Sequence, residues 1–519
     1  MTTTPRHASS LHESDLSRES EPLLGETITT QSRTGRRWKA SPYWSIPVVL
    51  VVNIARGMTV SPRISVYQEI ACRALSTNSL AQDCKTPEVQ ARASQIQASI
   101  LTIMYVLSSV STGLWSQWGD YRGRKALFFV SLSGLIAMES VFILVSGSFP
   151  AIADRAEAFI LLGPVLEGLC GGLSVFNGVV HAYIADCTPD GSRAKIFSTV
   201  QGIQFVGLAI GPWTAGILAS FTNLGTYSLF YISVVIQLVL LVYIIFFLPE
   251  SLRSHVQTAG VQTSLAMVPK SNLQTFKDLT RRFFGALVSP IAIFRPRTII
   301  HGTVSRRDYT LTLLGFAILL YICSTAVYPL KYLYGQHIYS WTPTQLGYYM
   351  SLLWIARATN LLVILPFIIS YFKPKTPITG ASSPESVALE FKFDKLLAQA
   401  SLSVDALADF LIVASPASSQ ALFIAFSCMS SFTSGGNPAL HSLGAVCIYA
   451  LGYGSETGRL FGAIGVLNAI AHSVSPSIFA LTYSLTVSTR PSTIFLVASA
   501  LLFTSVMLLG RLRIKTTSV

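Results

Sequence analysis

Gly119-Asp120-Tyr121-Arg122-Gly123-Arg124-Lys125 packs one acid and three cations into seven residues. Apolar runs of about 20 residues lie on either side, roughly 96–115 and 126–145, each long enough to cross a hydrocarbon core as a helix. The charges between them must stay in water, so the knot reads as a tight turn on one face of a membrane. Gly123 permits the sharp bend, and the cations can meet headgroups or carboxylates.

Outward from this turn the texture repeats. The chain has 519 residues, 51% hydrophobic and 12% charged, with a mean hydropathy of +0.53. Soluble chains carry roughly twice that charged fraction. The net charge of +13 does not point to nucleic acid, because Lys and Arg sit in loops between apolar runs and form no basic domain. Seven cysteines make no CxxC pair and no zinc spacing, so neither metal nor cofactor is expected. The first 40 residues contain no apolar core segment, which leaves the first span as the targeting signal.

Twelve spans follow from the hydropathy pattern, at about 44–62, 96–115, 126–147, 158–183, 196–220 and 227–248, then 309–332, 345–371, 396–414, 418–445, 459–485 and 492–511. They divide the chain into a disordered tail (1–43), a six-helix bundle (44–248), a basic linker (249–308), a second six-helix bundle (309–511) and a short tail (512–519). Within the linker, 276–294 is a candidate amphipathic surface helix, with a plain linker as the alternative. In the first tail, Glu19-Ser-Glu-Pro-Leu23-Leu24 resembles an acidic dileucine sorting signal, so the chain is placed in a plasma or a vacuolar/endosomal membrane. With the N-terminus inside, 28 of the 37 Lys and Arg lie on the inner side and 7 outside, which puts both termini in the cytoplasm. Arg56 and Arg357 are read as the basic residues within spans. Cys72 and Cys84 then share an outer loop and are candidates for a disulfide, with two free thiols as the alternative.

The halves align when slid by about 260–270 residues. Lys125, Ser131, Leu132 and Ser133 answer Lys395, Ser401, Leu402 and Ser403. Glu139 answers Asp409, and Asp120 answers Glu390. Asn177-Gly-Val-Val-His181 answers Asn437-Pro-Ala-Leu-His441, and Pro212 answers Pro476. Two like six-span halves imply a pseudo-two-fold axis along the membrane normal, with a cavity between them at mid-depth.

With these features the chain resembles the major facilitator superfamily over about 44–511. The resemblance rests on Asp120, Gly123, Arg124 and Lys125 after span 2, and on Leu248-Pro249-Glu250-Ser251 closing span 6. It also rests on Gly207-x3-Gly211-Pro212-x2-Ala215-Gly216 in span 5, similar to the family's glycine-proline antiporter motif. Ser116 stands where the loop pattern has a glycine, and Ala215 replaces one glycine of the span-5 pattern. Pro62, Arg63 and Cys72 look most like fungal members near the proton-coupled folate and heme carrier branch. The resemblance implies an all-α fold of twelve transmembrane helices in two pseudo-symmetric bundles. Asp120 and Arg124 would then be gate residues touching the opposite half on the inside, while Gly207, Gly211 and Pro212 are read as close packing.

Ionisable groups at membrane depth are costly and each needs a reason. Arg56 and Arg357 are candidate anion-binding cations, since guanidinium stays charged and pairs bidentately with carboxylate or phosphate. The alternative is an internal ion pair with Glu139, Glu167, Asp405 or Asp409. His181 and His441 each lie one turn after Asn177 or Asn437, on the same helix face, and are candidates for substrate polarisation. His181 and Glu167 are candidates for proton coupling; ordinary hydrogen-bonded core residues are the alternative. Glu139 and Asp409 are read as structural partners of arginines. A protein with no GxxxxGK[ST], HExxH or GxSxG and with two matching halves is expected to be a secondary transporter and not an enzyme. Its expected partners are a small organic solute, protons and membrane lipids, with the chain a monomer. Proton-antiport efflux of amphipathic compounds, a non-transporting nutrient sensor and an intramembrane enzyme are the rival readings.

Overall fold

With half of its residues apolar and no water to satisfy the backbone in a bilayer, the chain must satisfy its N–H and C=O groups within helices. The computed structural model describes residues 40–75, 84, 86–146, 155–187, 193–221, 227–251, 289–301, 304–372, 384–432, 434–451 and 457–513. The proposed sorting signal and residues 276–288 of the candidate surface helix lie outside them.

The first bundle comprises span 1 (Ser45–Leu75), span 2 (Pro87–Arg122), span 3 (Arg124–Ser146), span 4 (Leu162–Leu169 and Gly172–Cys187, after a short turn Ala156–Phe159), span 5 (Arg193–Phe221) and span 6 (Ser228–Phe246). The second comprises span 7 (Thr310–Ser324 and Val327–Tyr339), span 8 (Pro343–Thr359 and Leu365–Phe372), span 9 (Pro384–Ala414), span 10 (Gln420–Phe432 and Gly436–Ala450), span 11 (Thr457–Thr486) and span 12 (Thr493–Gly510). Ten of these are long and apolar enough to cross a membrane on those grounds alone; spans 5 and 10 complete the twelve. Between the two parts of span 8, Asn360–Ile364 forms a π-helical turn.

Two boundaries differ from the sequence reading. Span 1 does not stop at Pro62, which sits inside an unbroken helix that runs on to Leu75. Span 7 bends at 325–326 and continues to Tyr339. The first shift draws Arg63 into the helical body, and the second leaves Lys331 mid-helix and not one residue from the span's end. In the linker, Ser289–Phe294 is a 3-10 turn, and Arg297–His301 pairs antiparallel with Val304–Asp308. This hairpin is the one strand pairing among the described residues and lies outside the spans.

Packing follows a half-turn. Across the bundle boundary span 2 packs on span 11 and span 5 on span 8, which are images of each other under exchange of halves. Inside the bundles, spans 1 and 6 pack as 7 and 12 do, and spans 3 and 6 as 9 and 12 do. Gly207 and Gly211 bring span 5 backbone-to-backbone with span 1. A Cβ at Gly207 would stand 2.8 Å from the Leu50 carbonyl, and one at Gly211 would overlap that of Ile54.

The two ends of the molecule are packed differently. At the end carrying the Cys72–Cys84 disulfide, one apolar cluster draws on both bundles, with Tyr67, Phe142 and Phe230 joined to Tyr334, Tyr349 and Phe423. At the end carrying the described chain ends, each bundle keeps a separate core. One holds Val48, Phe128, Tyr183 and Ile244; the other holds Leu311, Leu402, Leu443 and Leu509. The bundles are therefore joined at the disulfide end and parted at the termini end.

Candidate substrate and proton site

Four cations well inside the spans, away from the charged ends, set the chemistry. In span 1, Arg56 Nη1 meets Glu167 Oε1 of span 4 at 3.0 Å. Two turns along the same helix, Arg63 Nη2 meets Glu139 Oε1 of span 3 at 2.6 Å, and Thr59 donates to the same oxygen at 2.9 Å. In the second bundle, Lys331 Nζ meets Asp409 Oδ1 of span 9 at 2.7 Å, both side chains almost wholly buried. Arg63–Glu139 and Lys331–Asp409 are images of one another, each tying the first span of a bundle to its third. On the sequence reading Arg63 falls just outside span 1, and Lys331, at the end of the 309–332 run, is counted with the outer cations. The correspondence of Glu139 with Asp409 was the signal that could have revealed them, because matched buried acids call for matched cations.

Arg357 of span 8 is different. Its guanidinium lies 4.1 Å from the Tyr328 ring centroid and 5.1 Å from that of Trp354. No described carboxylate comes within 4 Å of it. Asp405 influences it electrostatically without making an ion pair, and Asp405 Oδ1 is buried with no hydrogen-bond partner. The π-helical turn begins three residues after Arg357, where Asn360 reaches Ser434 of span 10 at 3.3 Å. Such turns collect at functional sites.

Glu167, in the short segment before the break in span 4, uses one oxygen for Arg56; its other oxygen is buried without a partner. Near this pair, Tyr105 of span 2 stacks on His472 of span 11 at 4.7 Å, a contact between the bundles. Arg56 and Glu167 both act electrostatically on Tyr105.

His181 and His441 behave as a matched pair. Each Nδ1 carries its proton and donates to the carbonyl one turn back, Asn177 at 2.7 Å and Asn437 at 2.8 Å. A carbonyl can only accept, so this geometry fixes the tautomer. His181 and Asn437 are exposed, and Asn177 and His441 are half-buried, all in the segments that lead to the parted end.

The described bonds of the turn 119–125 run within its own bundle. Gly123 adopts φ +99°, and a Cβ there would overlap the Glu250 carboxylate. That carboxylate accepts from the backbone N–H of Arg124 at 2.8 Å and of Lys125 at 3.1 Å, capping span 3. Arg124 Nε reaches Asp186 Oδ2 at 3.0 Å, and Ser251 donates to the same oxygen at 3.1 Å. The described bonds of the turn thus run to the ends of spans 4 and 6, and the side chain of Asp120 lies outside the described residues. Cys72 and Cys84 are bridged, with Cα atoms 5.3 Å apart.

The comparisons with known proteins agree with this geometry. The model of the Major Facilitator Superfamily matches residues 74–476. The chain is 23% identical to the MFS-type transporter avaJ of Aspergillus versicolor over 494 residues, covering 92% of this chain and 91% of the relative. It is 22% identical to the uncharacterized membrane protein YJL163C of Saccharomyces cerevisiae, covering 92% and 85%. Among solved structures, the human organic anion transporter MFSD10 (TETRAN) superposes with a TM-score of 0.57 at 16% identity, covering 91% and 100%. A D-xylose-proton symporter superposes with 0.58 at 12%, covering 92% and 98%. Twelve spans, half-turn packing and a family match over most of the chain give one conclusion: this integral membrane protein is a secondary transporter, not an enzyme, and belongs to the Major Facilitator Superfamily.

Proposed function

We propose that the chain carries a small carboxylate-bearing organic solute, coupled to protons, by alternating access, with both termini in the cytoplasm. The observation that carries this reading is Arg357. The other three cations within span cores each hold a carboxylate at 3.0 Å or less, whereas Arg357, among the described residues, lies against aromatic rings with Asp405 acting on it from beyond ion-pair distance. An unpaired guanidinium in a low-dielectric site is stabilised by whatever anion enters, and aromatic walls leave its forked edge available.

Proton coupling is assigned to Glu167. Its carboxylate holds Arg56 while ionised; a proton arriving on the unpartnered oxygen releases Arg56 to the solute. His181 and His441, with Asn177 and Asn437, then form the approach from the parted end. The excess of Lys and Arg on the termini side supports a cytoplasmic placement of that end.

The test is uptake of labelled mono- and dicarboxylates into proteoliposomes under an imposed pH gradient. The reading expects accumulation driven by acid on the side from which the labelled solute is supplied, loss in Arg357→Ala, and uncoupled exchange in Glu167→Gln. Equal transport of neutral sugars, or an unaltered panel in Arg357→Ala, would overturn it.

A further inference from the structure

We infer that the groove between the linker and spans 7 and 11 binds one anionic glycerophospholipid, its acyl chain along span 7 and its headgroup on Arg295. The groove encloses about 570 Å³ and is walled by Ile291, Phe294, Gly315, Phe316, Leu319 and Leu467, with Arg295 at its rim. It is built, not incidental. Thr312 of span 7 donates to the Phe294 carbonyl at 2.6 Å, and Phe294 lies against Gly315, where any Cβ would stand 2.7 Å from the ring. The 3-10 turn Ser289–Phe294 is thereby fastened across two spans and leaves a roofed slot beneath it.

Helical geometry places the slot on the bilayer side. On span 11, the buried Leu467 stands at the head of the face of Ile470, Val474, Ile478 and Leu481, four exposed large apolar side chains. His472, which meets Tyr105 of the other bundle, points the opposite way. On span 7, the groove residues Phe316 and Leu319 stand on the face away from Tyr321, one of the tyrosines that act on Arg357. The slot therefore backs away from the substrate site. From Thr312 to Leu319 on span 7 it descends about 10 Å, room for the upper part of an acyl chain against apolar walls.

The charge at its mouth selects the headgroup. Arg295, Arg307, Arg511 and Arg513 are all exposed at this end, and the Arg513 carbonyl lies 3.4 Å from the Thr310 hydroxyl at the first turn of span 7. The acid close by, Asp308, is engaged by the Thr310 N–H at 2.6 Å. A cationic collar above an apolar slot matches an anionic lipid, and the cytoplasmic leaflet, where the termini are placed, is the one rich in such lipids. The inference shares only that placement with the transport reading, and its failure would leave the solute site untouched.

The test is native mass spectrometry of the full chain extracted in detergent and titrated separately with phosphatidylserine and phosphatidylcholine of identical chains. One phosphatidylserine is expected to be retained in preference to phosphatidylcholine. Arg295→Gln should lower phosphatidylserine retention about fivefold while leaving phosphatidylcholine unchanged. Ala292→Trp, which fills the slot, should lower retention of both. Equal retention of the two lipids, or phosphatidylserine retention unaltered in either variant, would overturn the inference; a thermal melt confirms that each variant is folded.

Discussion

Removing Lys331 should be far more damaging than removing Lys331 and Asp409 together. Their charged atoms are 2.7 Å apart, and the two side chains retain 1% and 4% of their exposure. At an effective dielectric near 20, unit charges about 3 Å apart attract by ~5 kcal/mol. Taking each ion out of water costs several kcal/mol, so the pair as a whole contributes little net stability. Lys331→Met leaves Asp409 stranded beside Asp405, whose Oδ1 already lacks a partner, and should cost about 3–5 kcal/mol. Asp409→Leu strands Lys331 at similar cost. The double variant removes both charges and should return close to the parent. The assay is a double-mutant cycle on thermal unfolding in detergent, with the two singles well below the parent and the double above both. Additive losses, with the double lowest, would refute the reasoning, because the residues would then act independently.

The matched pair in the first bundle should behave alike: Glu139→Gln, which also loses the Thr59 bond, should lower the melt by a comparable amount while Arg63→Met with Glu139→Gln recovers it. Gly123→Ala combines a positive φ with an overlap on Glu250 and should cost at least the ~1 kcal/mol of a lost cap, read as a lower melt that Glu250→Ala does not deepen further. Gly211→Leu should push span 5 off span 1, abolishing transport and cysteine crosslinks between those spans while surface expression persists. Reduction of Cys72–Cys84 should destabilise the chain by about 3 kcal/mol without changing which solute is carried, measured by melts and uptake with and without a reductant.

Much of the fold was legible because a bilayer imposes a coarse rule. Span number follows from apolar run length, and the half-turn followed from residues such as His181 and His441 recurring in order. What escaped was governed by tertiary context. Pro62 looks like a helix end, yet its missing N–H and ring are accommodated in a packed span, so Arg63 was placed in a loop. Lys331 sits one residue from the end of the 309–332 run, and the helix carries on past it to Tyr339 after the bend at 325–326. Pairing was the other gap: several acids were open to Arg56, and only packing of span 1 on span 4 selects Glu167. The hairpin at 297–308 lies in a short basic stretch whose period-2 signal is too weak to stand out. The lipid slot could not be read at all, because it depends on where the linker crosses the helices.

The most direct test of the account is a pair of spin-label distances followed together. Labels at Arg122 and Lys392 report the termini end, and labels at Leu75 and Ser340 report the disulfide end. The account predicts a long first distance and a short second one in the resting protein, and opposite changes in the two when solute and acid are added. Distances that move in the same direction, or that do not respond at all, would contradict a pocket that opens to alternate sides.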